Sequence, residues 1–284
     1  MHDFTYHAPD SLAGALALLD RYGEEARVMA GGTALVVLLK QSLVGAEHIV
    51  SLDRVPGLAG IRVKDGVLHI GALTHHREIE QSPEVRAVAP LLAEVYGHVG
   101  TVRIRNAATV GGGLAHADPA QDPPPGLIAL GASVRLVSSR GERVVDLDDF
   151  FRDYYETAIR PDEILIEVMV PVPAQPARGA YLKFLPRTID DYATVAVAAQ
   201  ADVEDGTVRT LRVGLASAGP TPVHAATVEA ALLGKAATPE AIRAAAEAVR
   251  DDIDPMDDFR GSADYKRDMA VVFTRRALER VLAS

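Results

Sequence analysis

Two glycine-rich stretches constrain what this chain can fold into. The first is Met29-Ala30-Gly31-Gly32-Thr33-Ala34-Leu35; the second is Thr109-Val110-Gly111-Gly112-Gly113, which runs on through His116-Ala117-Asp118-Pro119-Ala120-Gln121-Asp122. Glycine reaches positive φ at little steric cost and carries no Cβ, so consecutive N–H groups can turn toward one anion that approaches the backbone closely. After Gly31-Gly32, Thr33 is placed to cap a helix whose Leu35, Leu38 and Leu39 recur at helical spacing, and a helix N-terminus then also faces the anion. Either stretch alone is equally well an ordinary turn, because short glycine patterns recur by chance. Two in one chain, the second closing on a compact Asp-Pro-x-x-Asp loop, point to a dinucleotide held through backbone.

Charge and cysteine count narrow the chemistry. The formal net charge is −10, which repels nucleic acid and anionic membrane surfaces. The chain has no cysteine, so it supplies no thiolate for an iron–sulfur cluster or a Cys-type zinc, no disulfide and no cysteine nucleophile. Redox chemistry here must reside in a bound organic cofactor. Met1-His2-Asp3-Phe4 lacks the segments of a signal peptide, and no run of about twenty apolar residues is present to span a bilayer. A cytoplasmic protein without an integral membrane segment is the expectation.

Periodicity and turn signals give an outline of the fold. Asp10 precedes an amphipathic helix with Leu12, Ala15, Leu16 and Leu19 on one face, stopped near Gly23; Arg27–Ala30 and His48–Leu52 read as strands. Ile61–Val63 and Val67–Ile70 flank Asp65-Gly66, a hairpin signal. Thr74 is expected to cap a short helix, Ala87–His98 to form another, and Val134–Ser138 and Ile164–Val170 to be strands. The proline-dense Pro171–Pro176 is the best boundary candidate. Beyond it come strands Ala193–Val203 and Val208–Ser217, joined at Asp205-Gly206, and helices Val223–Leu233, Pro239–Arg250 and Ala263–Leu282; Met269, Val272, Phe273, Ala277 and Val281 form the apolar stripe of the last helix.

Other chemistries find little support. The chain has no phosphate-loop motif, and neither glycine stretch spells the nicotinamide-binding Gly-x-Gly-x-x-Gly. Gly214–Gly219 has the wrong spacing for a nucleophile elbow. His75 and His76 are adjacent, diverge on a helix and have no recurring His/Glu partner, so they read as solvated or interface residues and no metal site is expected.

Taken together, Ala-Gly-Gly-Thr-x-Leu, Thr-Val-Gly-Gly, Pro161-Asp162-Glu163-Ile164-Leu165, Lys183, Arg187–Ala193, Gly219-Pro220-Thr221-Pro222 and Ser262–Arg267 resemble the FAD-binding medium subunit of the molybdenum hydroxylases, the family of carbon monoxide dehydrogenase and xanthine dehydrogenase. The resemblance covers nearly the whole chain. It implies an α+β protein: a two-lobed FAD-binding domain of the vanillyl-alcohol-oxidase-like (PCMH) type over 1–172, with lobes of about 1–54 and 55–172, and a small α/β C-terminal domain over 177–284. It further implies that Ala30, Gly31, Gly32, Thr33, Ala34 and Leu35 hold the FAD pyrophosphate, and that Thr109, Gly111, Gly112 and Gly113 lie against the phosphate and ribityl region. Asp122 would accept from a sugar hydroxyl, as an ionised carboxylate does strongly. Leu165 would pack along the flavin, Lys183 would donate to it, and Asp190, Asp191 and Tyr192 would form a loop approaching it. Thr33 and Asp122 are also readable as helix caps, and Lys183 equally as half of a surface salt bridge.

The sequence departs from the family pattern at Gly113, where the second turn usually has Asn, and at Ala34, where a small polar residue is common. Each lost neutral hydrogen bond weakens FAD binding by about 1 kcal/mol. As implied by the resemblance, no catalytic acid or base is needed in this chain. It would carry electrons from two [2Fe-2S] clusters in a small subunit to an external acceptor, beside a large molybdenum-cofactor subunit, in a dimer of heterotrimers. The alternatives are an autonomous FAD-dependent oxidoreductase with His116 or Asp190 as base, and a non-enzymatic module that has lost FAD.

Overall fold

Ser11, one residue after Asp10, opens the first helix, its side chain accepting from the Gly14 N–H. Strand β1 (Thr5–His7) precedes this helix, α1 (Leu12–Tyr22), which stops where Gly23 turns to φ 51°; β2 (Ala26–Met29), α2 (Leu35–Lys40) and β3 (His48–Ser51) follow. The computed structural model describes residues 3–175, 177–185, 187–188 and 190–283. Met1, His2, Pro176 of the proline-rich link, Pro186, Ile189 of the 187–193 motif and Ser284 lie outside the described residues. The three strands pair in parallel in the order β1-β3-β2. Ala15, Leu16 and Leu19 of α1 pack with Val50, Leu52, Val55 and Leu58, and with Ile164 from much later in the chain.

A second sheet is wholly antiparallel. Its first hairpin joins β4 (Ile61–Lys64) to β5 (Val67–Gly71) through Asp65 and Gly66, both at positive φ, as a two-residue turn compatible with strand twist requires. Six short helices come next: α3 (His76–Gln81), α4 (Pro83–Val88), α5 (Pro90–Gly97), α6 (Val102–Arg105), α7 (Val110–His116) and α8 (Pro123–Ala129). Strands β6 (Ser133–Ser138) and β7 (Gly141–Asp146) form another hairpin, β8 (Phe151–Asp153) and β9 (Glu156–Thr157) a small one outside the sheet, and β10 (Ile164–Pro171) closes the order β4-β5-β10-β6-β7. The last strand of the region is thus the central one.

Two expectations fail here for local reasons. Thr74 is not a cap; its hydroxyl accepts from the Gly60 N–H at 2.9 Å, and capping passes to His75, whose N–H donates to Glu78 Oε2. Nor is Ala87–His98 one helix. Pro90 has no N–H and disfavours helical backbone at the residue before it, and Ala89 sits at φ −143°, ψ 60°, between α4 and α5.

The C-terminal sheet has β11 (Arg178–Phe184), β12 (Val195–Glu204), β13 (Thr207–Ala216) and β14 (Val223–His224) in sequential antiparallel order, with α9 (Ala226–Leu232), α10 (Pro239–Ala248) and α11 (Ala263–Leu282) after them. Strand β11 has no counterpart in the sequence reading, and the expected helix 223–233 begins instead as a strand edge. On α11 the buried stripe is Ala270, Val271, Thr274, Ala277, Leu278 and Val281, while Met269 and Phe273 are only partly buried. A sheet face of Val195, Val197, Ala199 and Ala201 admits close approach, so small side chains rather than the bulkiest take the contact.

The opposite face of this sheet rests on α5 and α8. A Cβ on Gly214 would lie 2.3 Å from the Pro125 carbonyl oxygen, and one on Gly179 would lie 2.8 Å from Leu91 Cβ. Tyr181, Ala196, Ala198 and Ala216 accordingly share one core with Leu91, Leu92, Leu127 and Ile128. At the rim, Arg212 donates to the Ile128 carbonyl and to Asp148, and His224 lies 2.7 Å from Glu229 and 3.2 Å from Asp148. The Glu229 hydrogen bond raises the His224 pKa against the opposing effects of burial and Arg212. Stability from the protonated ring is complete below the ordinary histidine value and is lost as pH rises through the higher folded value. Urea unfolding should show wild type more stable than His224→Gln by about 1 kcal/mol at about pH 5.5, with the gap closing in alkali; a pH-independent gap would contradict this.

Candidate functional site

The first glycine stretch begins where β2 ends. A Cβ on Gly31 would fall 1.8 Å from the carbonyl oxygen of Ala107, so this residue touches another backbone directly, and Gly32 follows at φ 69°. Ala34, not Thr33, occupies the N-cap position of α2, and no side chain caps that helix. Among the described residues, no backbone carbonyl takes the N–H of Gly31, Gly32, Thr33, Ala34 or Leu35, all of which stay half-buried. Five successive amide donors without a backbone acceptor are the kind of donor run that suits an anion.

The second stretch is built differently. Thr109 caps α7 by accepting from the Gly112 N–H, and the three glycines lie in the helix's first turns rather than in a loop with positive φ. Its amides are already engaged: Val110 donates to the Thr74 carbonyl, Gly111 to that of Ala72, and Gly113 to that of Thr109. Glycine serves close packing instead. A Cβ on Gly111 would meet Ala72 Cβ at 2.6 Å, and one on Gly112 would stand 3.4 Å from Ala30 Cβ, so the two stretches lie side by side. The Gly113 carbonyl accepts from Gln121 Nε2 at 2.9 Å. His76 supports this helix from below: its N–H donates to the Ala108 carbonyl and its Nε2 to that of Thr109. Burial lowers its pKa to about 4, so the ring is neutral. The reading of both histidines as solvated or interface residues gives way, for His76, to an interior one, because His76 is 3% exposed, while His75 stays half-exposed.

Asp122 sits at the N-cap position of α8 but makes no side-chain cap. Both its oxygens are taken within the protein, one by the Tyr181 hydroxyl at 2.5 Å and the other by Lys183 Nζ at 3.0 Å. Lys183 also donates to the His98 carbonyl. The Lys183 salt bridge is thus deep rather than superficial, its two side chains 2% and 5% exposed. Burial pushes the Asp122 carboxyl up, against the pull of Lys183 and Tyr181. Leu165 is buried in the core that contains Val110 and Leu114 of α7.

The remaining expected residues are on the outside. Asp190 lines an open cleft with His98, Thr101, Val102 and Arg105, and Asp191 accepts from the Thr188 N–H. Tyr192 is half-exposed, and partial burial together with the negative charge of Asp118 raises its phenol, as the same two causes raise that of Tyr155. His116 lies 5.3 Å from the Tyr155 ring and is not brought to Asp122 or Lys183 by any hydrogen bond among the described residues. Sequence reasoning missed Tyr181, Gln121, His76, Asp118 and Tyr155. Only Asp118 and Gln121, inside the Asp-Pro-x-x-Asp loop, carried a local signal.

The donor set fits FAD. Backbone amides suit a pyrophosphate in a chain of net negative charge, and Gly112 lets the second stretch lie directly beside Ala30 of the first. Two substitutions separate packing from ligand contact. Lys183→Met should destabilise by about 3–5 kcal/mol, because it leaves Asp122 buried and unpaired, and Asp122→Asn/Lys183→Met should recover most of that. Gly31→Ala should reduce FAD content and lower the melting temperature together, whereas Gly113→Ala, whose Cβ would stand 3.2 Å from the end of Gln121 and 3.5 Å from the His76 ring and no nearer to any backbone, should change melting little. Thermal denaturation with flavin absorbance reads both; a Gly31→Ala chain with native melting would contradict the backbone contact.

Comparisons with known proteins agree along the whole chain. Residues 2–173 match the model for the FAD binding domain in molybdopterin dehydrogenase, and residues 180–281 that for the CO dehydrogenase flavoprotein C-terminal domain. The carbon monoxide dehydrogenase medium chain of Hydrogenophaga pseudoflava is 38% identical over 97% of this chain and 96% of its own. The 6-hydroxypseudooxynicotine dehydrogenase complex subunit alpha of Paenarthrobacter nicotinovorans is 34% identical over 98% and 94%. The solved carbon monoxide dehydrogenase from Hydrogenophaga pseudoflava, which lacks the Mo-pyranopterin moiety of its cofactor, matches with TM-score 0.97 at 40% identity over 99% of this chain and 98% of that one. Quinoline 2-oxidoreductase from Pseudomonas putida 86 matches with TM-score 0.92 at 31% identity, over 99% and 97%. With both halves matched at once and the two glycine stretches adjacent, the chain belongs to the FAD-binding medium subunits of the molybdenum hydroxylases, the carbon monoxide dehydrogenase and xanthine dehydrogenase type.

Proposed function

We propose that this subunit holds FAD non-covalently and passes electrons from partner [2Fe-2S] clusters to an external acceptor. Hydroxylation would then occur at the molybdenum cofactor of a large subunit, with the clusters in a small one and the whole arranged as a cytoplasmic dimer of heterotrimers. Bound FAD supplies both one- and two-electron chemistry, which suits it to link clusters with a two-electron acceptor. The observation that carries the reading is the run of five amides without backbone acceptors, Gly31 to Leu35, in a chain with no cysteine of its own.

In this reading the amides of Gly31, Gly32, Thr33, Ala34 and Leu35 bind the pyrophosphate, with Ala30 and Gly112 as the floor between the stretches. Thr109, Gly111 and Gly113 give shape rather than free donors. Asp122 and Lys183 fix α8 to β11, which sets the distance between the second glycine helix and the loop bearing Asp190, Asp191 and Tyr192. Leu165 supports α7 from the sheet. The domains are taken as 1–172 and 177–284. The relatives include dehydrogenases of carbon monoxide, caffeine and glyceraldehyde. Such variety around one medium-chain pattern supports placing substrate choice in another subunit.

Acid precipitation of the purified chain or its complex should release all flavin into the supernatant, since no cysteine is present for thioether attachment. In the intact complex, substrate should bleach the flavin only while the partner clusters are present. Turnover of an organic substrate by the isolated chain at the rate of the complex would favour an autonomous oxidoreductase.

A further inference from the structure

We propose a divalent transition-metal site at the N-terminal edge of the three-stranded sheet, with His48, Glu25 and Glu47 as ligands and His7 as the group that orients His48. The ligand atoms of the first three residues lie within 4.8 Å of one another. Parallel pairing creates the cluster. Ala26 of β2 stands in register with His48 of β3, so the preceding residues Glu25 and Glu47 fall side by side, tied by the Glu47 N–H to the Glu25 carbonyl. Two like charges side by side at the entrances of neighbouring strands repel unless something positive joins them. Among the described residues neither carboxylate has an ion-pair partner, and the nearby Arg27 guanidinium donates to the carbonyls of Glu24 and Ala26 instead.

The imidazole is held as a ligand would need to be. His48 Nδ1 lies 3.1 Å from His7 Nε2, and the Tyr22 ring stacks on His48 with centroids 3.6 Å apart. With Nδ1–H donated to His7, the lone pair of His48 Nε2 is left for the metal. This is the usual way an outer partner fixes the tautomer and direction of a metal-bound histidine. One imidazole and two carboxylates, with room for water, suit zinc and its borderline neighbours better than magnesium or calcium, which prefer all-oxygen shells. The site lies at the end of the sheet away from the glycine stretch, since Glu25 precedes β2 and Gly31 follows it. It is therefore separate from the FAD site, and its occupancy should not depend on flavin.

The test uses the flavin-loaded full chain, stripped with a chelator and titrated with Zn2+ in competition with a chromophoric chelator. One equivalent should bind. Glu25→Gln, Glu47→Gln and His48→Gln should each weaken that binding at least tenfold, and His7→Gln about tenfold through loss of the outer partner, with FAD content unchanged in all four. Absence of a stoichiometric zinc, or binding undiminished in His48→Gln and in Glu25→Gln/Glu47→Gln, would overturn the proposal.

Discussion

Backbone meets backbone where the two glycine stretches converge, and much of the site depends on that contact. Gly31 abuts the Ala107 carbonyl, Gly111 abuts Ala72, and Gly112 faces Ala30. A Cβ at Gly31 would push the end of the parallel sheet away from the Ala107–Ala108 segment, and one at Gly111 would push α7 away from the residue that follows β5. The first stretch then keeps its amides without backbone partners because the other side of its chain is occupied by packing, while the second exhausts its amides on Thr74, Ala72 and Thr109. Similar sequence motifs thus do unlike work: one is a donor array, the other a spacer.

The same division of labour explains the buried Asp122–Lys183 pair. A lone charge at that depth costs several kcal/mol, so each partner is retained only in the presence of the other. Tyr181 and the His98 carbonyl complete the hydrogen bonding. The pair joins α8, which follows the second glycine stretch, to β11, which opens the C-terminal sheet. Its effect on a ligand would come through the placement of those elements.

Local signals made some of this legible. The Asp65-Gly66 and Asp205-Gly206 turns, the Gly23 stop and the span of α11 all follow from glycine geometry and periodicity in neighbouring residues. What escaped was decided at a distance. Lys183 is drawn inward by Asp122, 61 residues earlier, and nothing near it in sequence marks it as buried. The interior role of His76 is not legible beside His75 because its partners, the carbonyls of Ala108 and Thr109, belong to a later segment. Of the expected stripe of α11, Ala277 and Val281 are fully buried and Met269 and Phe273 lie at its margin, because the facing sheet admits close approach by small residues such as Ala270 and Thr274. Strand β11 was hidden by Arg178, Gly179 and Lys183, which read as polar or weak strand formers until the neighbouring strand is in place.

The order of the antiparallel sheet has a consequence for how the chain is made. Strands β4 and β5 leave the ribosome roughly a hundred residues before β10, their neighbour at the centre of the sheet. Until Ile164–Pro171 arrives, β5 and β6 each present an open edge with unpaired N–H and carbonyl groups, the kind that recruits stray strands. The six short helices between them cover the apolar face but cannot close those edges. The N-terminal half of the nascent polypeptide is thus most vulnerable to aggregation during this interval, and one late strand ends it by pairing on both sides.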